Sequence, residues 1–480
     1  MMVKYLRLLT VLSAVAALGS ATDPDSPSPA TDPAEYDPRD VYRRDVVIVG
    51  GGSSGVYSSM RLRDHGKSVL VIEKRDTLGG HAEAWVDPVS GTPIDIGVQA
   101  FANDVAKDYF ARFGLALKPS GAGAAAPTNA YVDFSTGKAA DFAAPHASAF
   151  LAAVDWYLSH LREFPALQDS FNMSYAVHPD LLLSFGEFVA KYDLGDLVPQ
   201  VFQYNQGAVP LLDISMLYHF KYLNEDECNA FKNGFLSVDQ HSVTELYRRA
   251  AEELGPDVLF DSTVVAMDRS LPGEVRVAVQ TPAGSKLIVA KKILSTIPPV
   301  LGNLASYDLS SEERRLFGEF FANGYYVGVL NNTGLDPSVT YVNHGGAGRP
   351  YGVPELPGIH TLYSIPLPGD RFITNVYYGS PDTGLSDDDV KANIVADVQR
   401  YQKENGLPVT RPDWLKFSNH SPFNLMVPND KIADGFYEEL FSLQGCRNTF
   451  YNGAAWHTQD SSALWKFTED YVLPIMLASL

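Results

Sequence analysis

Three glycines near the start of the chain have the spacing of a phosphate-binding turn. They are Gly50, Gly52 and Gly55, in a G-x-G-x-x-G pattern that directly follows the apolar run Val46–Val49. In such a turn the first glycine permits the sharp bend, and the second lets a pyrophosphate approach the backbone. The third lets the next helix pack closely on the strand, and the helix N-terminus faces the phosphate charge. The pattern predicts a dinucleotide-binding turn.

A carboxylate follows at the distance expected for ribose recognition. The pattern predicts a helix from Val56 to His65 and a second buried strand from Ser68 to Ile72, after which Glu73 stands. An acidic residue about 20 residues beyond the glycines accepts hydrogen bonds from ribose hydroxyls, and it favours a ribose without a 2′-phosphate. Strand, turn, helix, strand and carboxylate all agree. We therefore favour dinucleotide binding over the alternative of a glycine-rich turn without a ligand.

Length and charge limit the classes of protein and of partner. A chain of 480 residues is long enough for two or three domains, and 45% hydrophobic with 20% charged residues is typical of a soluble globular protein. The formal net charge of −20 repels nucleic acid and anionic membranes, so we expect no nucleic-acid partner. The oligomeric state stays open.

The N-terminus has the pattern of a secretory signal peptide. Lys4 and Arg7 precede the apolar run Leu8–Leu18, and small residues follow up to Ala21. We predict a signal peptide over 1–21 that is cleaved near its end, rather than an uncleaved anchor, because the run is short for a bilayer. The expected location is the secretory-pathway lumen or the cell exterior. No later apolar run predicts a membrane span.

Other residues fit passage through that pathway. Asn172, Asn331 and Asn419 each begin an N-x-S/T sequon and are candidate glycosylation sites. The two cysteines, Cys228 and Cys446, exclude a disulfide-built scaffold, but one disulfide and two separate thiols are equally compatible with the sequence. No His, Cys and Asp residues cluster at metal-ligand spacing, so no metal site is predicted.

Composition and periodicity divide the chain into alternating pieces. A Pro-, Asp- and Ser-rich stretch predicts a disordered linker over 22–44. We predict an α/β fold, α+β overall, with a Rossmann-like nucleotide-binding domain in discontinuous segments and an inserted substrate domain of mixed helix and sheet. The nucleotide-binding domain takes 45–118, 230–302 and 440–480, and the substrate domain takes 119–229 and 303–439.

Further motifs resemble those of the flavin-containing amine oxidase-like superfamily. Leu78-Gly79-Gly80 resembles its second glycine motif, and Asp95-Ile96-Gly97 resembles the D-x-G that follows. Ile297-Pro298-Pro299 matches its usual strand end, Val264 stands where a strand backbone contacts adenine, and Phe450–Ala454 resembles its final flavin-contacting segment. The resemblance implies FAD as cofactor. With the glycine turn, it gives as candidate cofactor contacts Gly50, Gly52, Ser53, Ser54, Gly55, Glu73, Lys74, Gly79, Gly80, His81, Val264, Gly453 and Ala454.

Two branches of the superfamily are especially similar. One is the fungal secreted branch that includes β-cyclopiazonate dehydrogenase, and the other is the polyunsaturated fatty acid isomerase branch. The first implies an FAD-dependent oxidoreductase that dehydrogenates or oxidatively cyclises a hydrophobic small molecule of secondary metabolism, by hydride transfer to flavin N5. The second implies double-bond isomerisation of an unsaturated lipid. A non-catalytic protein that retains the fold is a third alternative.

Side chains near the flavin motifs are the candidates for catalysis. His81 stands where amine oxidases usually carry Arg, and it is a candidate flavin donor, base or covalent attachment point, or else a structural histidine. Trp456 follows the final flavin motif and is a candidate pocket wall or a packed core residue. A helix from about Ser461 is predicted to point its N-terminus at the flavin. Further pocket candidates in the inserts are Tyr204, Asn205, Gln206, Tyr325 and Tyr377.

Overall fold

The structure is a computed structural model. It describes residues 29–120, 128–171, 173, 177–239, 242–346 and 348–480. The predicted signal peptide over 1–21, the first residues of the predicted linker and the sequon asparagine Asn172 lie outside the described residues.

Within the described residues, the strands form two large sheets and three small ones. The strands are β1 Val41–Val49, β2 Val69–Ile72, β3 Ala84–Val86, β4 Pro93–Asp95, β5 Leu117–Pro119, β6 Thr128–Asp133, β7 Lys138–Ala139, β8 Leu236–Val238, β9 Val258–Leu259, β10 Thr263–Asp268, β11 Val275–Thr281, β12 Gly284–Ser295, β13 Phe321–Ala322, β14 Gly324–Asn331, β15 Val339–Asn343, β16 Gly358–Leu367, β17 Arg371–Ser380, β18 Asp413–Asn419, β19 Leu425–Met426 and β20 Thr449–Tyr451.

Helices connect and cover these sheets. They are α1 Ser53–Asp64, α2 Asp104–Arg112, α3 Ala147–Leu161, α4 Ala166–Asp169, α5 Phe185–Tyr192, α6 Val198–Tyr204, α7 Met216–Tyr222, α8 Glu225–Asn233, α9 Thr244–Leu254, α10 Ser311–Phe317, α11 Asp387–Glu404, α12 Asn429–Ala433, α13 Phe436–Ser442, α14 Ser461–Phe467 and α15 Leu473–Ser479. A π-helical turn over Thr468–Val472 joins the last two.

The first sheet surrounds β1 and confirms the Rossmann-like α/β prediction. Its strand order is β10-β11-β12-β1-β2-β9, with β20 beside β12, and β1 runs parallel to both of its neighbours. Val46, Val47 and Ile48 are fully buried because helices cover both faces of a parallel sheet. The carboxyl end of β1 leads directly into the glycine turn and α1.

The second sheet combines strands from both predicted inserts. Its order is β18-β14-β17-β16-β15-β6-β7, and most of its pairs are antiparallel. Helix α11 packs Val390, Ile394 and Val398 onto one face of this sheet. The helices α3 to α8 of the first insert instead share one hydrophobic core with the first sheet. The inserted elements are therefore packed against the nucleotide-binding sheet.

The predicted boundary of the linker at residue 44 is wrong by several residues. Strand β1 already begins at Val41, because the backbone from Val41 to Arg44 pairs in register with Leu287 to Ala290 of β12. Before it, short 3-10 turns are capped by the side chains of Asp32 and Asp37.

A buried arginine at the edge of the first sheet forms ion pairs and hydrogen bonds with α10, the residues before it and β20. Arg269, just after β10, is fully buried, and its Nε and Nη1 lie 2.7 Å from carboxylate oxygens of Asp308 and Glu313. Nη1 also donates to Thr449 Oγ1 of β20 at 3.0 Å. These pairs satisfy a charge that would otherwise be costly to bury.

We predict that Arg269→Met destabilises the fold strongly. The substitution removes the nearest cation from the buried Glu313 carboxylate and leaves only Arg447 Nη1, at 3.7 Å, as a positive neighbour. The free energy of unfolding should therefore fall by about 3–5 kcal/mol, read as an earlier chemical denaturation midpoint. Arg248→Met is the matched control, because Arg248 is half-exposed and its pairs with Glu245 and Glu252 are screened by solvent and contribute little to stability. Equal losses in the two variants would contradict this account of Arg269.

Candidate active site

A cavity of about 740 Å³ is lined by residues of both predicted domains. Its lining contains nearly all of the predicted cofactor contacts. These are Gly50, Gly52, Ser53, Ser54, Glu73, Lys74, Gly79, Gly80, His81, Val264, Gly453 and Ala454. Segments separated by almost 400 residues thus meet around one space of a size suited to ligands.

The glycine turn has a packing glycine and a ligand-facing glycine. A Cβ on Gly55 would lie 1.9 Å from the carbonyl oxygen of Gly50, so only glycine fits there. A Cβ on Gly52 would contact only the Cα of Gly80, at 3.8 Å, and would otherwise project into unfilled space. Gly52 also caps α1 without a side-chain hydrogen bond. The first-turn amides of α1 are therefore available to a phosphate, as a pyrophosphate cradle requires.

Glu73 lies at the end of β2, beside the glycine turn. Its Oε2 accepts a hydrogen bond from the Gly51 amide at 2.7 Å, and its Oε1 accepts from the Arg75 amide at 2.9 Å. A carboxylate has further lone pairs, which can accept from ribose hydroxyls. Lys74 is exposed at the rim of the cavity, and Val264 lines it from β10.

The second glycine segment lies directly against the first. The Gly79 amide donates to the Gly51 carbonyl at 2.9 Å, and Gly79 adopts a φ of +121° that favours glycine. Arg75, which the sequence reasoning missed, donates to the Gly80 carbonyl at 3.0 Å and holds this segment in place. Only glycine fits at position 97 of the D-x-G motif, because the Cβ of any other residue there would lie 1.8 Å from the His81 carbonyl oxygen.

His81 forms an aromatic wall of the cavity. Its ring stacks on His420 with centroids 4.3 Å apart and on Phe423 at 5.7 Å. Burial lowers the pKa of His81 well below its ordinary value, and the neighbouring His420 adds to this effect. His81 is therefore a neutral imidazole near pH 7, able to donate or accept a hydrogen bond but carrying no charge.

A carboxylate supports this wall from behind. Glu83 Oε1 lies 3.5 Å from His420 Nε2 and 2.8 Å from Arg75 Nη1, and it accepts from Ser418 Oγ at 2.6 Å. Burial disfavours the charged form of Glu83, but the His420 and Ser418 contacts and the Arg75 charge outweigh it and lower its pKa. The negative charge is thus held behind His420, which itself lines the cavity.

Tyrosines from the second sheet form another wall. The hydroxyls of Tyr363 and Tyr377 lie 2.9 Å apart, and Gln99 Nε2 donates to Tyr377 at 2.8 Å and to Tyr363 at 3.1 Å. Tyr325 donates to Gln206 Oε1 at 3.0 Å. Burial raises the pKa of Tyr325 and of Tyr377, so both stay neutral. This wall offers aromatic surface and a few uncharged hydrogen-bonding groups to a ligand.

Some predicted roles take a different form in the structure. Trp456 does not line the cavity. It is 1% exposed and stacks on Tyr451 in the core, which agrees with the alternative prediction of a packed core residue. Asn205 lines a separate small cavity behind Ala454. At the start of the closing helix, the side chain of Asp460 accepts from the amides of Ser462 and Ala463, so these two amides are not free to face the cavity.

The donor set fits a dinucleotide with an unphosphorylated ribose. Uncapped helix amides, an open space beside Gly52 and the Glu73 carboxylate are brought together in one cavity. Among the described residues, no group of three or more His, Cys, Asp or Glu side chains is arranged to hold a metal ion, and both cysteines are free. In the same part of the chain, no helix is long and apolar enough to cross a membrane.

Comparison with known proteins gives a match to a nucleotide-binding domain and matches to full-length FAD-dependent enzymes. Residues 48–113 match the NAD(P)-binding Rossmann-like domain. The chain is 36% identical to the FAD-dependent oxidoreductase oblC of Cochliobolus heterostrophus over 98% of its own length and 99% of that protein. It is 35% identical to β-cyclopiazonate dehydrogenase of Aspergillus flavus, covering 92% of this chain and 94% of the relative.

Solved structures share the fold at lower sequence identity. A fatty acid isomerase from P. acnes superposes with a TM-score of 0.72 at 17% identity, covering 90% of this chain and 98% of that one. Putrescine oxidase bound to putrescine superposes with a TM-score of 0.64 at 18% identity, covering 91% and 100%. The predicted likeness to amine oxidases is confirmed at the level of the fold. The FAD-dependent relatives confirm FAD as the cofactor. The chain belongs to the family of FAD-dependent oxidoreductases that includes oblC and β-cyclopiazonate dehydrogenase.

Proposed function

We propose that this oxidoreductase dehydrogenates or oxidatively cyclises a hydrophobic small molecule of the secondary-metabolite type. The observation that carries the proposal is the shared cavity, in which the glycine cradle and the neutral tyrosine wall line one space. A cavity of about 740 Å³ can hold a flavin end together with an apolar ligand. The relative named β-cyclopiazonate dehydrogenase supports a dehydrogenation.

Several residues would hold FAD in this cavity. Gly52 and the first turn of α1 would take the pyrophosphate, Glu73 the ribose, and Gly79-Gly80 with Gly453-Ala454 the flavin end. When bound, FAD supplies the acceptor for a hydride at N5. The protein orients the ligand against the ring and keeps water away from it.

The walls of the cavity then determine what is bound and how. Phe423 and Tyr325, whose ring centroids lie 4.7 Å apart, present apolar faces to a planar molecule. Gln99 and Tyr363 fix its polar edge, and neutral His81 offers one hydrogen bond without a competing charge. The same uncharged walls also suit an unsaturated lipid, so isomerisation without net redox change stays as the second candidate.

We also propose that the protein works in the secretory lumen or outside the cell. The signal-like pattern over 1–21 supports this location, and the exposed side chains of Asn331 and Asn419 are available for glycosylation. Asn419 already donates to Asp387 at 2.8 Å, which makes Asn331 the better candidate. A mass shift on endoglycosidase treatment of protein from a eukaryotic host tests both sites, and an unshifted, unprocessed protein would contradict the proposal.

Flavin spectroscopy tests the proposed reaction. We expect the purified protein to be yellow and an apolar substrate to bleach its flavin anaerobically, with the colour returning only on addition of oxygen or another acceptor. Product formation without bleaching would instead indicate isomerisation. After acid precipitation, flavin in the supernatant indicates non-covalent binding, and flavin in the pellet indicates covalent attachment.

Two glycine variants test the cofactor cradle. Gly52→Ala should fold normally, because its Cβ contacts only Gly80, yet it should weaken FAD binding at least about tenfold, or about 1.4 kcal/mol, by filling the pyrophosphate space. Gly55→Ala should instead lower the melting temperature of the apoprotein. FAD titration by fluorescence quenching and thermal unfolding separate the two effects. Wild-type FAD affinity in Gly52→Ala would place the cofactor elsewhere.

His81→Asn tests the histidine wall. We expect the rate of anaerobic flavin bleaching to fall by about 100-fold or more if His81 hydrogen-bonds the reacting group or the flavin. His65→Asn, on the exposed end of α1, is the matched control. An unchanged bleaching rate in His81→Asn would assign that histidine a structural role.

A further inference from the structure

Two carboxyl groups from different elements meet in the wall of the same cavity. Glu227 of α8 is 5% exposed, and Asp460 immediately precedes α14; both line the cavity. A side-chain hydrogen bond joins them. Two adjacent carboxyl groups in a buried wall cannot both be ionised without a large repulsion, so the pair holds a proton near neutral pH.

The surroundings place that proton on Glu227. Asp460 Oδ1 accepts from the amides of Ser462 at 2.7 Å and Ala463 at 3.2 Å, which stabilises a negative charge at this position. Glu227 has no such helix amides around its carboxyl group among the described contacts; the Tyr204 hydroxyl donates to its Oε2. Burial, and then the charge of Asp460, raise the pKa of Glu227 well above its ordinary value.

The other titratable groups that face Glu227 add no positive charge. Tyr204 reaches it from α6, packed between Phe231 and Phe235 with centroid distances of 4.8 Å and 4.9 Å. Tyr222 of α7 stays neutral, because burial and then the Glu227 charge raise its pKa. Asp226, on the same helix, accepts from Asn103 at 3.1 Å. Glu227 is thus a carboxyl group of raised pKa whose immediate neighbours, apart from Asp460, are uncharged tyrosines.

We propose that Glu227 is the general base of this cavity, and that Asp460 sets its basicity. The inference rests on the proposed function and narrows its substrate class. The substrate carries an N–H or O–H group next to the C–H bond that is oxidised. The C–H bond breaks and its electron pair leaves as hydride to the flavin oxidant, the N–H or O–H proton passes to the Glu227 carboxylate, and a C=N or C=O bond forms.

Infrared spectroscopy of the FAD-loaded protein tests the base without any substrate. We expect a protonated-carboxyl C=O band near neutral pH, where an ordinary glutamate of pKa about 4.3 is ionised, and we expect it to vanish as pH rises. Glu227→Gln should lack the band. In Asp460→Asn the band should disappear at a lower pH than in the wild type, because the negative charge that repels the Glu227 carboxylate is gone. In Tyr204→Phe the band should shift in frequency, because the hydroxyl that donates to Glu227 is removed.

Kinetics with a defined probe tests the reaction. Indoline has an N–H beside an oxidisable C–H, whereas N-methylindoline has no such proton. We expect indoline to bleach the wild-type flavin faster as pH rises, over the range in which the infrared band disappears. Glu227→Gln should lose this pH dependence and slow bleaching by about 100-fold or more. Asp460→Asn should move the rise to lower pH.

Glu225→Gln is the matched control, because Glu225 lies on the same helix but pairs with Arg162 at 2.5 Å. It should behave like the wild type in both experiments. Three results would each overturn the inference. The wild type could lack the infrared band, Asp460→Asn could leave the pH dependence of the band unchanged, or Glu227→Gln could be bleached at the wild-type rate. A wild type bleached by N-methylindoline as fast as by indoline would overturn the substrate class alone. A protein without flavin absorbance would instead overturn the proposed function.

Discussion

The close approach of two glycine segments is the constraint on which the site depends. Gly52 and Gly79 lie side by side as bridge partners, and the Gly79 amide donates to Gly51 at 2.9 Å. Side chains at these positions would separate the segments or fill the space between α1 and the cavity. The first segment follows β1, and the second follows Glu73 and precedes His81. Their contact therefore also brings the Glu73 carboxylate and His81 to the same cavity.

The second sheet completes what the glycine segments begin. The nucleotide-binding sheet supplies backbone amides and a carboxylate, which recognise a charged and polar cofactor. The inserted sheet supplies Tyr325, Tyr363 and Tyr377 to the cavity wall, and burial raises the pKa of Tyr325 and of Tyr377. The charge of Glu83 near the cavity is neutralised by an ion pair with Arg75, whose Nη1 lies 2.8 Å from the Glu83 carboxylate. The result is a polar end for a dinucleotide and an apolar end for a ligand.

The parts of the site that the sequence predicted are local in the chain. The turn at Gly50, Gly52 and Gly55 and the carboxylate at Glu73 belong to one strand–helix–strand unit, whose spacing fixes their geometry. The distant segment at Gly453 was placed only through a family resemblance. The boundary at Val41 was missed because pairing with β12, more than 200 residues away, decides it.

The residues that were missed depend on long-range contacts. Gln99 meets Tyr363 and Tyr377 only because β16 and β17 pair in a particular register, which no local pattern gives. Glu227 meets Asp460 only in the folded chain, because more than 200 residues separate them in sequence. Trp456 follows a flavin motif, yet the short turn after Gly453 directs it into the core. The consecutive tyrosines Tyr325-Tyr326 and Tyr377-Tyr378 are a signal in the sequence itself, but no local pattern identifies the residues that they contact.

A crystal structure of the FAD-loaded protein tests the central claim most directly, since that claim is that one cavity holds cofactor and substrate. We expect pyrophosphate density beside Gly52 at the first turn of α1, the ribose against Glu73, and the flavin ring bordered by His81 and Gly453 with the tyrosine wall left open for a ligand. FAD bound elsewhere, or a flavin ring that fills the space before the tyrosines, would contradict it.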